Sequence, residues 1–178
     1  MSKLHRFQVS VFRTALGWMA IEGREQSLVA LTFGHPSADS ARQQINSNRV
    51  KPPRQLDWLP DLRKRLEDYA EGAPETFLDV DIAYPVATPL ALAVLAACRQ
   101  IAYGETLSYG NLAAQVGAPR AARAVGNVMR TNRCPLVIPC HRGVHGDGRI
   151  GNFSAAQGAS MKERLLAMEA ASQLLLLS

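Results

Sequence analysis

SYGNLAAQVGAPRAARAVGNVMR, residues 108–130, reads as two short helices joined by a tight turn. Leu112, Ala113 and Val116 fall on one face of a helix predicted from about Tyr109 to Val116. Gly117-Ala118-Pro119 breaks that pattern, because glycine ends helices and proline suits the first position of the next. The next helix is predicted to open at Pro119. Wound at about 100° per residue, it places Ala121, Val125, Val128 and Met129 on an apolar face, with Arg120, Arg123, Asn127 and Arg130 within about 80° of one another opposite. Such a pair is a helix-turn-helix, whose second helix usually enters a DNA groove. Taken alone, the second helix reads rather as an ordinary amphipathic one with a solvated basic face. Upstream, Thr88-Pro89 reads as a capped helix start, followed by Leu90, Val94, Cys98 and Ile101 at helical spacing and a stop near Gly104.

Charge favours the polyanion reading. Residues 1–90 carry 11 Lys+Arg against 11 Asp+Glu, whereas residues 91–178 carry 9 against 4, so the whole +5 excess lies in the second half. Between Arg120 and Arg142 there are five arginines and no acid. One-sided basic charge gives DNA affinity without sequence preference.

Downstream, Leu136-Val137-Ile138 leads into Pro139-Cys140-His141-Arg142. The thiolate is the nucleophilic form of cysteine, and a free thiol at pKa about 8.5 is mostly protonated at neutral pH. His141 and Arg142 are expected to depress the Cys140 thiol. In isolation a Cys-His pair is as often inert and buried. The other cysteines, Cys98 and Cys134, leave an odd total with no framework spacing, as expected for free thiols in a reducing cytoplasm.

Together these pieces carry a resemblance. Tyr103-Gly104-Glu105-Thr106, Ser108-Tyr109, the Pro119-to-Gly126 stretch, Asn132, Pro-Cys-His-Arg and Gly151-Asn152-Phe153-Ser154 follow in the order of the O6-alkylguanine-DNA alkyltransferases, the methylated-DNA–protein-cysteine methyltransferase family. The close likeness covers roughly residues 85–170. It implies irreversible transfer of an alkyl group from guanine O6 to Cys140 after base flipping, one turnover per protein, with O4-alkylthymine as a further substrate to consider. His141 would take the thiol proton through a water, and Glu169 would orient His141. Tyr109 would crowd the target phosphate and protonate the leaving base. Arg123 would fill the space of the flipped base, Asn132 would tie the cysteine loop to the recognition helix, and Ser154 would donate to O6. Arg123, Tyr109, Asn132, Ser154 and Arg142 form the expected DNA-contacting set. The expected partner is duplex DNA holding O6-alkylguanine, met by a cytoplasmic monomer without a cofactor.

The resemblance also sets the fold: residues 1–84 an α/β domain, ribonuclease-H-like, and residues 85–178 a mostly α, winged helix-turn-helix-like domain. The residues agree in outline. Phe7, Val9 and Val11 alternate, as do Leu78, Val80 and Ile82, and Leu28–Leu31 is a short apolar run; these are strand signals. Leu59-Pro60-Asp61 opens a helix with Leu62, Leu66 and Tyr69 inward, ending at Gly72, and Tyr84-Pro85-Val86-Ala87 reads as the connector. Ser160-Met161-Lys162-Glu163 is a capping-box pattern ahead of Leu165, Met168 and Glu169, and Leu174–Leu177 reads as the end of a packed helix. With no cysteine before Cys98, and His5 and His35 isolated, no metal is expected. The start lacks the apolar core of a signal peptide, and no run approaches the roughly 20 residues that span a bilayer.

Several positions depart from the family pattern. Gly143 stands in place of a branched apolar residue, Phe153 in place of tyrosine, Ala155-Ala156 in place of Gly-Gly, and two extra residues precede Lys162. Three rival readings follow from different classes. One is a non-catalytic alkyltransferase-like damage binder, which Cys140 opposes. Another is a transcription regulator, which would have no use for Pro-Cys-His-Arg. The third is a Cys-His hydrolase, for which adjacent side chains are poorly placed.

Overall fold

The structure, a computed structural model of the chain, describes residues 7–46, 54–84, 87–151 and 153–177. His5, Pro85-Val86 and Asn152, singled out above, lie outside the described residues. The chain forms two compact units, Met1–Ala73 with Asp79–Pro85, and Pro74–Leu78 with Val86–Ser178.

The first unit is built on β1 (Gln8–Thr14), β2 (Gly17–Arg24) and β3 (Ser27–His35), an antiparallel meander. After α1 (Ala38–Asn46), β4 (Arg54–Gln55) pairs parallel with β1, giving the order β3-β2-β1-β4, and α2 (Pro60–Ala70) follows. Val9, Ala20 and Ala30 pack with Ala41 and Ile45 of α1; the small alanines let the helix lie close to the sheet. On the next strand position Ser10 turns the other way, and its hydroxyl bonds the Leu56 and Trp58 carbonyls at 2.9 and 2.8 Å. Trp58 lies against Gly23, where an added Cβ would meet the indole at 2.3 Å, so that contact requires glycine. The strand expected at Leu78–Ile82 is reduced to a single bridge, Leu28 to Ile82, and Leu78 is exposed. Phe77, with φ of 52°, turns the chain just before it and breaks the alternation.

The second unit is mostly helical. α3 (Pro89–Arg99) starts as expected, with the Thr88 hydroxyl accepting from the Ala91 amide at 3.2 Å. Thr88→Ala is expected to lower stability by about 1 kcal/mol, read from urea unfolding. β5 (Leu107–Ser108) leads into α4 (Tyr109–Gln115), capped by Ser108, and then α5 (Ala122–Arg130). α5 opens three residues later than expected: Pro119 and Arg120 belong to the turn, and Ala121 caps the helix without a side-chain bond. Val125 and Met129 are buried while Arg123, Asn127 and Arg130 are exposed, as the helical wheel predicts. A short 3-10 turn (Cys140–Arg142) precedes β6 (Gly143–Val144), which pairs parallel with β5.

The last helix, α6 (Gly158–Leu177), begins two residues before Ser160. The expected capping box does not form; Ser160 instead donates to the Gln157 carbonyl at 2.9 Å. Leu174 and Leu175 are exposed, so that end of α6 is not a packed terminus. No helix among the described residues is long and apolar enough to cross a membrane, and none of their His, Cys, Asp and Glu side chains group in threes as a metal site requires.

Candidate active site

Cys140 stands at the start of the 3-10 turn, 1% exposed. The backbone before it is tightly folded: the Ile138 amide bonds Cys134 O at 2.8 Å, and the Cys140 amide bonds Ile138 O at 2.7 Å. Asn132 braces this turn from both ends. Its Oδ1 accepts from the Cys134 amide at 3.0 Å, while Nδ2 donates to Ile138 O at 2.9 Å and to the Cys140 sulfur at 3.1 Å. Thr131 is the C-cap of α5, one residue before Asn132. One buried side chain thus links the exit of the exposed basic helix to the thiol.

His141 and Arg142 converge on one carboxylate. His141 Nε2 lies 2.8 Å from Glu169 Oε1, and Arg142 grips the same carboxylate through Nε at 3.0 Å and Nη2 at 2.9 Å. The Gly104 amide adds a fourth donor at 3.0 Å, and Arg142 Nη1 bonds Ile101 O at 2.6 Å. His141 and Glu169 are fully buried and Arg142 is 3% exposed. Burial works to raise the Glu169 carboxyl, but the hydrogen bond and charge of His141 and Arg142 outweigh it and hold it down to about 2. Burial pushes His141 down, against the pull of Glu169, so the imidazole is neutral at pH 7. A carboxylate only accepts, so Nε2 carries the hydrogen and Nδ1 is the basic nitrogen.

This corrects two expectations. Arg142 is not available to DNA, because its donors are spent inside the protein on Glu169 and Ile101. Nor is the Cys140 thiol depressed by its neighbours in sequence. Burial pushes it up, opposed by hydrogen bonds from Asn132 and Ser154 and by the charge of Lys162. Burial also pushes Cys134 up to about 12 and Cys98 well above the ordinary range. A buried thiol of this kind needs a proton acceptor before it can attack.

Tyr109, the first residue of α4, is 7% exposed and kept protonated by burial. Its ring meets His145 edge-on at 5.2 Å. The departure at Gly143 has a steric counterpart, since a Cβ there would lie 3.0 Å from Tyr109 Cε1. Phe153 is buried, its ring edge-on to His141 at 6.3 Å, while Ser154 is exposed. Arg123 is exposed on α5, with Arg120, Arg130 and Arg133 also exposed nearby in sequence. The structure therefore brings Cys140, Asn132, Ser154, His141, Glu169 and Tyr109 into one unit.

Sequence reading missed Lys162. It is fully buried, and its ammonium donates to Tyr109 Oη at 3.3 Å and to the Gly143 carbonyl. The signal was present: Lys162, Leu165 and Glu169 stand at i, i+3 and i+7, one face of a helix.

The family profile for the 6-O-methylguanine DNA methyltransferase, DNA binding domain, matches residues 89–171. A hamster (Cricetulus griseus) methylated-DNA–protein-cysteine methyltransferase is 34% identical over 191 residues, covering 95% of this chain and 85% of its own. The chain belongs to the methylated-DNA–protein-cysteine methyltransferase family. A mouse (Mus musculus) protein of the same name is 55% identical over 71 residues, 40% of this chain; that stretch spans 33% of the mouse protein. The crystal structure of the Mycobacterium tuberculosis protein OGT in complex with DNA matches at TM-score 0.73 and 28% identity, over 93% of this chain and 94% of that one.

Proposed function

We propose that this chain repairs alkylated DNA by direct reversal, moving the alkyl group from guanine O6 to Cys140 in one irreversible step. The observation that carries this is the buried Cys140 thiol, bonded by Asn132 and followed directly by the His141–Glu169 pair. In this reading α4 and α5 act as the helix-turn-helix of a winged domain, the first unit is ribonuclease-H-like, and a monomer in the cytoplasm meets the duplex. Exposed Arg123 enters the minor groove and takes the place of the extruded base. A planar cation suits that role because it can both stack and donate hydrogen bonds.

The flipped guanine lies between Cys140, Ser154 and Tyr109. Neutral His141 accepts the thiol proton at Nδ1 through a water, and ionised Glu169 stabilises the imidazolium that results. The sulfur attacks the alkyl carbon in line, and the C–O6 bond breaks. Ser154 donates to O6, and Tyr109, protonated by virtue of its burial, donates to the base as negative charge develops. The product is a thioether with no route back to the thiolate, so one protein serves one lesion.

Incubation with duplex DNA holding one O6-methylguanine tests this. The peptide carrying Cys140 is expected to gain the mass of one methylene, and Cys140→Ala is expected to gain nothing while still binding the lesion. Tight lesion binding by the unmodified protein with no mass gain would instead make it a damage sensor; the presence of a cysteine nucleophile disfavours that outcome.

A further inference from the structure

α5 carries a bonded pair of exposed side chains, Asn127 and Arg130, that the roles above leave unused. Resting on the proposed reading of α5 as the helix that meets the duplex, we infer that this pair is a clamp for one backbone phosphate, in which Asn127 positions Arg130. Arg130 Nη2 donates to Asn127 Oδ1 at 2.8 Å, and both residues are exposed. The spacing permits this because helical side chains lean toward the N-terminus, so a residue reaches the one three positions before it. A solvated asparagine inside a helix costs stability relative to alanine, and here its amide bonds Arg130 across the turn.

That bond fixes what the pair can hold. Arginine has donors and no acceptor, so the asparagine turns its oxygen toward Arg130 and its NH2 group away. The rest of the guanidinium fork is unspent. What the pair offers outward is therefore donors alone, and an anion with several acceptor oxygens satisfies it, the fork taking two oxygens of one phosphate at once. The charge is also unspent. Other surface cations are met by acids: Lys64 by Asp68, and Arg149 by Asp147 at 2.6 Å. Among the described residues Arg130 has no carboxylate at ion-pair distance, and its partner is a neutral amide. A carboxylate there would cancel the charge and repel a phosphate, whereas an amide holds the side chain still and leaves the charge intact.

Position on the helix points to the backbone rather than to a base. Arg123, Asn127 and Arg130 stand at i, i+4 and i+7, on one face of α5. Seven residues of helix rise about 10 Å. A minor groove is roughly 6 Å wide. With Arg123 in the groove and α5 crossing it, Arg130 lies past the groove at the phosphates that wall it. The clamp then fixes how far along α5 the duplex sits, and it reads no sequence.

Fluorescence anisotropy of the full chain with a short undamaged duplex, at several salt concentrations, tests this. The slope of log binding constant against log salt is worth about 0.9 per phosphate neutralised, and it does not depend on the folded fraction. Arg130→Gln is expected to lessen the slope by about 0.9 and to weaken binding. Arg130→Lys is expected to keep the slope, because the charge remains, and still to lose affinity, because an ammonium has no fork. Asn127→Ala is expected to keep the slope and to bind about 2–10-fold more weakly, the cost of immobilising a long side chain on contact. Most of that cost is expected to vanish when Asn127→Ala is added to Arg130→Gln, since the two act as one unit. Lys64→Gln, which removes a charge already met by Asp68, is expected to change neither quantity. An unchanged slope in Arg130→Gln, an equal fall in Lys64→Gln, or full affinity in Asn127→Ala overturns the inference, while methyl uptake on Cys140 leaves the proposed function standing. An unmodified protein that neither binds the duplex nor takes up methyl overturns both.

Discussion

Arg142→Met is expected to lower the unfolding free energy by about 3–5 kcal/mol at neutral pH, the cost of stranding a buried charge. The Glu169 carboxylate is fully buried and takes four bonds, two of them from the Arg142 guanidinium at 2.9 and 3.0 Å. Methionine fills much of the same volume, so the loss is electrostatic rather than a cavity. What remains on Glu169 is a neutral imidazole and the Gly104 amide, which satisfy lone pairs but bring no positive charge. Truncation also orphans the Ile101 carbonyl, bonded by Nη1 at 2.6 Å. Acid sensitivity gives an independent check. Folded Glu169 is held down to about 2, whereas an unfolded glutamate titrates near 4.3. Its contribution in the unmodified protein is complete above the unfolded value and is lost as pH falls from there through about 2. Because 3–5 kcal/mol is about 2–4 pKa units, removing the guanidinium brings the carboxyl back to or above its unfolded value, so the acid-dependent loss from this group disappears. Urea unfolding at neutral pH and at several acidic points measures both effects. A loss under about 1 kcal/mol would mean that the cluster is solvated in solution.

The parts of this molecule that were legible in the sequence are those where one pattern has one physical solution. Thr88-Pro89, the Leu112-Ala113 face and the apolar stripe Val125–Met129 each specify a helix start or a buried face, and the helices form there. The Pro119 start failed because proline suits the first turn of a helix and the middle of a tight turn equally well, and here it serves the turn. β2 escaped notice because Met19, Ala20, Ile21 and Glu22 are all buried, so the two-residue alternation that marks a half-exposed strand is absent. α1, with Ala41 and Ile45 as its buried residues, offers too thin an apolar stripe to read. At the site, Cys140 and His141 were named from their chemistry and Glu169 by likeness, and the fold brings His141 and Glu169 to hydrogen-bond distance. Arg142 was assigned outward and points inward, and Lys162 was passed over. Both errors have one cause. Long basic side chains are usually solvated, and only the third dimension shows when a carboxylate or a thiol has drawn one inside. The more basic half therefore hides two of its cations, Arg142 and Lys162, while Arg120, Arg123, Arg130 and Arg133 are exposed.

His141→Gln is expected to slow methyl transfer by about 10²–10⁴-fold at neutral pH, the usual worth of a placed proton acceptor. The thiol makes this acute. Burial pushes Cys140 up, so without an acceptor very little thiolate exists near neutrality. Glutamine can still donate to Glu169 from its amide, which keeps the carboxylate satisfied and separates the loss of a base from the loss of the fold. His141 is fully buried, and the DNA side in this reading is the exposed face of α5, so lesion affinity is expected to stay within a few-fold of the unmodified protein's. The pH profile distinguishes a missing base from a misplaced sulfur. In the variant the rate follows the thiolate that forms unaided, so it is expected to climb about tenfold per pH unit well into the alkaline range. In the unmodified protein neutral His141 accepts the proton at pH 7, and the climb is expected to be flatter. The two curves then converge as pH rises. Parallel curves would instead mean that His141 only holds the turn in shape, and that the proton leaves Cys140 by another route.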